Sequence, residues 1–240
     1  MDISKIAIPV LTTLETVRVC LPTIVEAARG RVQRADCDQR LAEWAETAVR
    51  LAEIDVRVRG LEFIEPEQTY VVMSNHQSSY DIFVLMHVFP RTLRMVSKIE
   101  MFRVPIVGEA MRAAEFVPLD RGDIRKARAG LDYARQKLES GVNVWISPEG
   151  TRSPDGKLLQ FKKGGFMLAL QTGAKILPVS VIGTRDVLRS KGFEVNRGQT
   201  VDVVFHRAID TRDYGTSKRN DLMRDVRAAI SSGLPHAWRD

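Results

Sequence analysis

Three short segments gather residue types that can move protons and hold anions: Asn75-His76-Gln77-Ser78-Ser79-Tyr80-Asp81, Asp120-Arg121, and Pro148-Glu149-Gly150-Thr151-Arg152-Ser153. His76 and Asp81 stand five positions apart, about 140° around a regular helix, so they cannot meet on one helix. If His76 ends a strand or loop and Asp81 opens the next helix, the chain can fold back and let the carboxylate accept a hydrogen bond from one imidazole nitrogen. The other nitrogen is then a base of fixed tautomer, suited to abstracting a hydroxyl proton. Taken alone, such a pair is more often a capping Asp beside a surface His. Ser78 and Ser79 open a second route, an acyl-enzyme serine, although no GxSxG elbow exposes either one. Glu149-Gly150-Thr151-Arg152 carries the donors of a phosphate site: backbone N–H groups at a glycine turn, a hydroxyl, and a bidentate guanidinium. The same four residues also suit a loop with a surface Arg–Glu pair. Lys98, Arg121, Lys162 and Lys163 extend a basic cavity in one reading and a solvated face in the other. Gly150 with Gly156-Lys157 does not make a nucleotide loop, because Leu158 stands where a Ser or Thr should hold magnesium.

The elements that would position these segments are those of an α/β domain. Short apolar runs predict strands near 54–58, 70–74, 93–97, 116–119, 142–147, 176–182 and 201–206, with helices over 81–88, 103–113, 123–139, 165–172 and 218–231. Asp123 can cap the third of these helices, and Leu131, Ala134 and Leu138 supply its buried stripe. Ligands of α/β sheets bind beyond the carboxyl ends of strands, and all three segments follow a strand. The fold class expected is a mixed, mostly parallel sheet flanked by helices, with an N-terminal amphipathic helical pair.

That pair occupies residues 1–53, and the body residues 54–240. Ile3, Ala7, Val10, Leu14, Val17, Leu21 and Ile24 form one helical stripe that Pro9 and Pro22 should bend or delimit. Glu15 and Arg18 near its middle argue against a membrane span, and no signal peptide is legible. Leu41, Trp44, Ala45, Ala48 and Leu51 mark a second amphipathic helix. Two readings stand: the helices pack on the domain or a second subunit, or they dock on a membrane, with Arg18, Arg29, Arg31 and Arg34 facing anionic lipid.

The 240 residues, 44% hydrophobic and 28% charged, suffice for one sizeable core and exclude disordered and collagenous classes. A formal charge of +6 favours anionic partners, whether nucleic acid, phosphorylated metabolite or acidic lipid. No basic helix interleaved with aromatics supports nucleic acid. Cys20 and Cys37 lack ligand spacing and read as buried thiols of a reducing compartment. His87, His206 and His236 form no metal-ligand cluster, and no metal is expected.

Together the motifs resemble the glycerolipid acyltransferase family that includes 1-acylglycerol-3-phosphate acyltransferases. Asn75, His76 and Asp81 match its Asn-His-x-x-x-x-Asp motif, Val117-Pro118-Leu119-Asp120-Arg121 its second motif, and Ser147 to Ser153 its Phe-Pro-Glu-Gly-Thr-Arg-Ser motif. Ile176-Leu177-Pro178-Val179 matches the fourth, and the similarity spans roughly residues 54–209. Ser147 replaces the usual Phe, and Glu115 stands where Gly is common. The resemblance implies that His76, oriented by Asp81, acts as general base on the sn-2 hydroxyl of 1-acylglycerol 3-phosphate. That hydroxyl would attack the thioester of acyl-CoA or acyl-carrier protein directly, giving phosphatidic acid. Arg121, Arg152, the Glu149-Gly150-Thr151 turn and Lys98 would bind the phosphate, with Asn75 and Pro178 in support and Glu149 orienting an arginine or the loop. No cofactor is implied. Because its substrates live in bilayers, the enzyme is expected to be cytoplasmic and peripheral on the cytoplasmic face of an anionic membrane. Acylation of another lysolipid or an amine-containing acceptor, or a non-catalytic lipid-binding scaffold, are the alternatives.

Overall fold

The computed structural model describes residues 4–120, 122 and 124–239. Two helices come first, α1 (Ser4–Ala28) and α2 (Arg34–Leu51), followed by β1 (Asp55–Arg59), β2 (Tyr70–Ser74), α3 (Tyr80–Val88), β3 (Leu93–Lys98), α4 (Val107–Ala113) and β4 (Val117–Leu119). The chain continues through α5 (Ile124–Glu139), β5 (Asn143–Ile146), α6 (Gly164–Thr172), β6 (Lys175–Ile182), α7 (Thr184–Val187), β7 (Thr200–Phe205) and α8 (Arg219–Gly233). Among the described residues the strands form one sheet in the order β1-β7-β6-β2-β5-β3-β4. Every pairing is parallel except β6 with β7. The expected mixed, mostly parallel sheet is therefore present.

Central strands of such a sheet are buried on both faces, which explains their near-continuous apolar runs. In β2, Tyr70 and Val72 join one core while Val71 and Met73 join the other, the two-residue alternation of a strand. The first core lies under α2, α3 and α4, and the second under α5, α6 and α8. Ala134 and Leu138 of α5 are buried as expected. Asp123 lies outside the described residues.

Two local departures have backbone causes. The helix expected from 103 starts only at Val107, because Pro105 holds Val104 extended and Ile106 takes a left-handed φ of 68°. At Glu115 the chain turns into β4 with φ 64°, a conformation that favours glycine. Its carboxylate offsets that strain. It accepts bonds from Arg34 Nε and Nη2 of α2 at 2.6 and 3.0 Å and from Lys137 Nζ of α5 at 2.8 Å. Arg34 beside it, against a smaller opposing effect of burial and with help from Lys137, holds the carboxyl down at about 2. A carboxylate depressed in the fold adds stability above its ordinary range and loses it as pH falls through the folded value. Glu115→Gln should therefore cost about 1–2 kcal/mol at pH 7 after solvent screening. In thermal melts, the deficit relative to wild type should vanish as pH falls from 4.5 to about 2. A deficit independent of pH would contradict the ion-pair account.

The N-terminal helices share the first core. Cys37, Ala45, Ala48 and Val49 of α2 are buried, and Asp38 pairs at 2.6 Å with Arg94, whose side chain is 1% exposed on β3. Helix α1 runs through both prolines without interruption and turns Ile8, Val19, Cys20 and Thr23 inward. Of the stripe read from the sequence, Val10, Leu14 and Leu21 are exposed together with Leu11 and Val25, Ala7, Val17 and Ile24 are half-buried, and Ile3 lies outside the described residues. By length and composition alone Ala7–Ala28 suffices to cross a membrane, which the sequence reading denied it because of Glu15 and Arg18. Those two charges pair with each other through two bonds of 2.7 Å. Arg18 and Arg34 are thus already engaged, while Arg29 and Arg31 at the turn after α1 are exposed.

Candidate active site

Two of the three segments, 75–81 and 148–153, meet at the carboxyl ends of β2 and β5, which pair Val71–Met73 with Val144–Ile146, while Asp120 follows β4, two strands beyond β5 in the sheet. Asn75 leaves β2 by pairing its side-chain amide with the backbone of Val181. Its Nδ2 donates to the Val181 carbonyl and its Oδ1 accepts the Val181 N–H, each at 2.8 Å. Asn75 thereby adds one side-chain rung to the β2–β6 ladder. The next residue, His76, is gripped by the third segment on both sides of its backbone. Its N–H donates to Glu149 Oε1 at 2.7 Å, and its carbonyl accepts the Ser153 N–H at 2.7 Å.

Asp81 lies in the first turn of α3, fully buried, with Oδ2 at 2.7 Å from His76 Nδ1. The same oxygen accepts the N–H groups of Gln77 and Ser78 at 2.7 and 3.0 Å, and Oδ1 accepts the Thr184 hydroxyl. An acceptor-only carboxylate against Nδ1 places the imidazole proton there and leaves Nε2 as the basic nitrogen. The loop expected to bring residues 76 and 81 together does so, and the ring also meets Trp145 edge-on at 6.1 Å.

Glu149 was expected to orient an arginine or the loop, and its bonds go to the loop. It is 2% exposed, and its second oxygen accepts the Leu159 N–H at 2.8 Å. Burial pushes its carboxyl up to about 7, against the pull of the Leu159 and His76 N–H donors. Arg152 donates from Nη1 to Ser79 Oγ at 2.8 Å, while the Ser78 hydroxyl donates to the Leu188 carbonyl at 2.7 Å. The Ser78 hydroxyl is thus committed to a backbone carbonyl, and the Ser79 hydroxyl accepts from Arg152. Gly150, at φ 73°, donates its N–H back to the Ser147 carbonyl and closes the turn that presents Thr151 and Arg152.

A cavity of about 980 Å³ opens onto this constellation. His76, Ser79, Lys98, Ser147, Gly150, Thr151, Arg152 and Lys162 line its polar end, and apolar side chains of α1, α2, α3 and α4 line much of the rest. Trp44, Phe83, Met95 and Met111 are among those apolar groups. Pro178 sits inside the sheet opposite Met73, accepts the His206 N–H at its carbonyl, and does not line the cavity. Arg121 lies outside the described residues. Among the described residues no three His, Cys, Asp or Glu side chains gather as metal ligands. Sequence reasoning missed Thr184 and the contribution of α1 and α2 to the cavity wall. Thr184 follows β6, so the strand-end rule that found the other segments would also have reached it.

A family model described as Acyltransferase matches residues 55–182. The chain is 34% identical over 180 residues to the 1-acyl-sn-glycerol-3-phosphate acyltransferase LPAT1, chloroplastic, of Arabidopsis thaliana, covering 75% of this chain and 49% of that protein. It is 36% identical over 149 residues to the human 1-acyl-sn-glycerol-3-phosphate acyltransferase alpha, covering 61% and 52%. The chain spans about half the length of the curated relatives it matches. The crystal structure of the 1-acyl-sn-glycerophosphate (LPA) acyltransferase PlsC from Thermotoga maritima superposes with a TM-score of 0.76 at 29% identity, covering 93% of each chain.

Proposed function

The chain belongs to the acyltransferase family, and we propose that it moves a fatty acyl group from an acyl-CoA or acyl-carrier-protein thioester to the sn-2 hydroxyl of 1-acylglycerol 3-phosphate, forming phosphatidic acid. The observation that carries this reading is the His76–Asp81 pair, bonded at 2.7 Å, in the polar end of a large, mainly apolar cavity bordered by Lys98, Arg152 and Lys162. An apolar volume suits an acyl chain, the cations suit a phosphate, and a base between them suits a hydroxyl attached to both.

In the proposed reaction, His76 Nε2 removes the hydroxyl proton as the acceptor oxygen attacks the thioester carbonyl. The C–S bond then breaks, and the leaving thiolate takes the proton from the imidazolium. Asp81 keeps its negative charge and stabilises that imidazolium. Arg152, with Thr151 and Lys98, holds the phosphate, and Arg121 is assigned the same role from its motif. Glu149 holds the backbone of His76 in place. The acyl group arrives activated as a thioester, so the reaction draws on no cofactor. Docking is assigned to the outward stripe of α1, with Arg29 and Arg31 toward anionic headgroups on the cytoplasmic face.

Thiol release from an acyl thioester, measured with a panel of acceptors, tests the substrate. We expect 1-acylglycerol 3-phosphate to exceed the same monoacylglycerol without phosphate by at least about 10-fold in kcat/KM, and Arg152→Ala to narrow that ratio mainly through the acceptor KM. Equal use of both acceptors would move the assignment to another lysolipid or an amine. No thiol release with any acceptor would favour a lipid-binding scaffold, which the intact His76–Asp81 pair argues against.

A further inference from the structure

We propose that Thr184 is a positioning residue for the His76–Asp81 pair, its buried hydroxyl fixing the plane of the Asp81 carboxylate; this rests on the reading of His76 as the base. The two oxygens of Asp81 are held unequally. Oδ2 takes His76 Nδ1 and the N–H groups of Gln77 and Ser78, whereas Thr184 bonds Oδ1. Rotation about the Cβ–Cγ bond of an aspartate is soft, so donors gathered at one oxygen leave the carboxylate free to pivot about it. A donor on the second oxygen stops that pivot and holds Oδ2 in line with the imidazole. A hydroxyl does this without bringing charge. The imidazolium therefore faces no second cation on the carboxylate, where a lysine or arginine at the same place would compete with His76.

The backbone is shaped to deliver this hydroxyl. Gly183 ends β6 with φ 98°, and a Cβ there would lie 2.3 Å from the Thr200 carbonyl oxygen, so glycine is required for the chain to turn under α3. Thr184 follows as the first residue of α7 and is fully buried. On either side, the same stretch holds the catalytic loop through other bonds, Asn75 to the Val181 backbone and the Ser78 hydroxyl to the Leu188 carbonyl. Those two contacts place the loop. Thr184 reaches the carboxylate itself.

The test uses the full chain with Thr184→Val, which keeps the shape and removes the donor, and Thr184→Ser, which keeps the donor. We expect Val to lower kcat about 10-fold, with both KM values within about twofold of wild type, and Ser to restore most of the rate. Nitrogen-15 NMR of labelled histidine, with the His76 signal assigned from its absence in His76→Ala, gives a readout that needs no turnover. It should show one Nδ1–H tautomer in wild type and Ser, and a mixture with Nε2–H in Val. Wild-type kcat and an unchanged tautomer in Val would overturn the proposal. Should Val fail to fold, Thr184→Cys supplies a weaker donor at the same place, and a rate equal to that of Ser would overturn it equally. Full turnover by His76→Ala would instead refute the base assignment and leave the tautomer result standing, which separates the two failures.

Discussion

Replacing His76 with alanine is expected to lower turnover at least about 100-fold, the lower end of what a general base contributes, with a melting temperature close to that of wild type. The fold should tolerate the change because Asp81, the buried charge left behind, keeps three other donors: the Gln77 and Ser78 N–H groups and the Thr184 hydroxyl. The His76 backbone also keeps its bonds to Glu149 and Ser153, which do not involve the ring. A large loss of rate without loss of stability would identify a chemical role. A near-normal rate would remove His76 from the mechanism.

The second large effect concerns the N-terminal helices. A chain beginning at Ile54 is expected not to fold, since it lacks α2. That helix buries Cys37, Ala45, Ala48 and Val49 and brings Asp38 to Arg94. Without Asp38 the Arg94 charge is left buried and unpaired, at a cost of about 3–5 kcal/mol, against a total stability of about 5–15 kcal/mol for an ordinary domain. Losing the buried apolar side chains of α2 adds about 1.5–3 kcal/mol for a residue such as Val49. Circular dichroism and melting of the shortened chain check this, and a cooperative transition near that of the full chain would contradict it. Membrane docking is better probed in the full chain by changing Leu14 and Leu21 to Glu, both exposed and therefore compatible with the fold. Co-sedimentation with anionic vesicles should fall and should weaken with salt in the wild type. Unchanged sedimentation of the double variant would return α1 to a packing role.

Central strands were legible from sequence because burial on both faces leaves continuous apolar runs, and the helices α5 and α8 because apolar residues such as Ala134 and Leu138, or Leu222, Val226 and Ile230, repeat with helical period. The start of α4 was not legible, since its boundary depends on the extended residue before Pro105 and the left-handed Ile106, neither of which periodicity reports. The stripe of α1 identified a helix correctly and left its orientation open. Periodicity says which residues share a face and is silent about what covers that face, and here the residues turned inward are Ile8, Val19, Cys20 and Thr23. In the site, the five-position spacing of His76 and Asp81 allowed them to meet, and the resemblance to the acyltransferase motif made that pairing the expectation. Thr184 could be singled out by its place after β6, but its partner could not, because its hydroxyl reaches Asp81 across 103 positions and only the fold brings the two together. Glu115 was visible as an unusual residue, but its partners Arg34 and Lys137 come from different helices.

Direct transfer, with no acyl group ever carried by the protein, is the central claim. Its most direct test is intact-protein mass spectrometry on samples quenched within the first turnover, after mixing the enzyme with an acyl thioester in the presence and absence of 1-acylglycerol 3-phosphate. The account expects unmodified protein in both samples, with thiol and phosphatidic acid appearing together only when the acceptor is present. An acyl adduct on Ser78 or Ser79 that forms without acceptor and disappears when acceptor is added would contradict it.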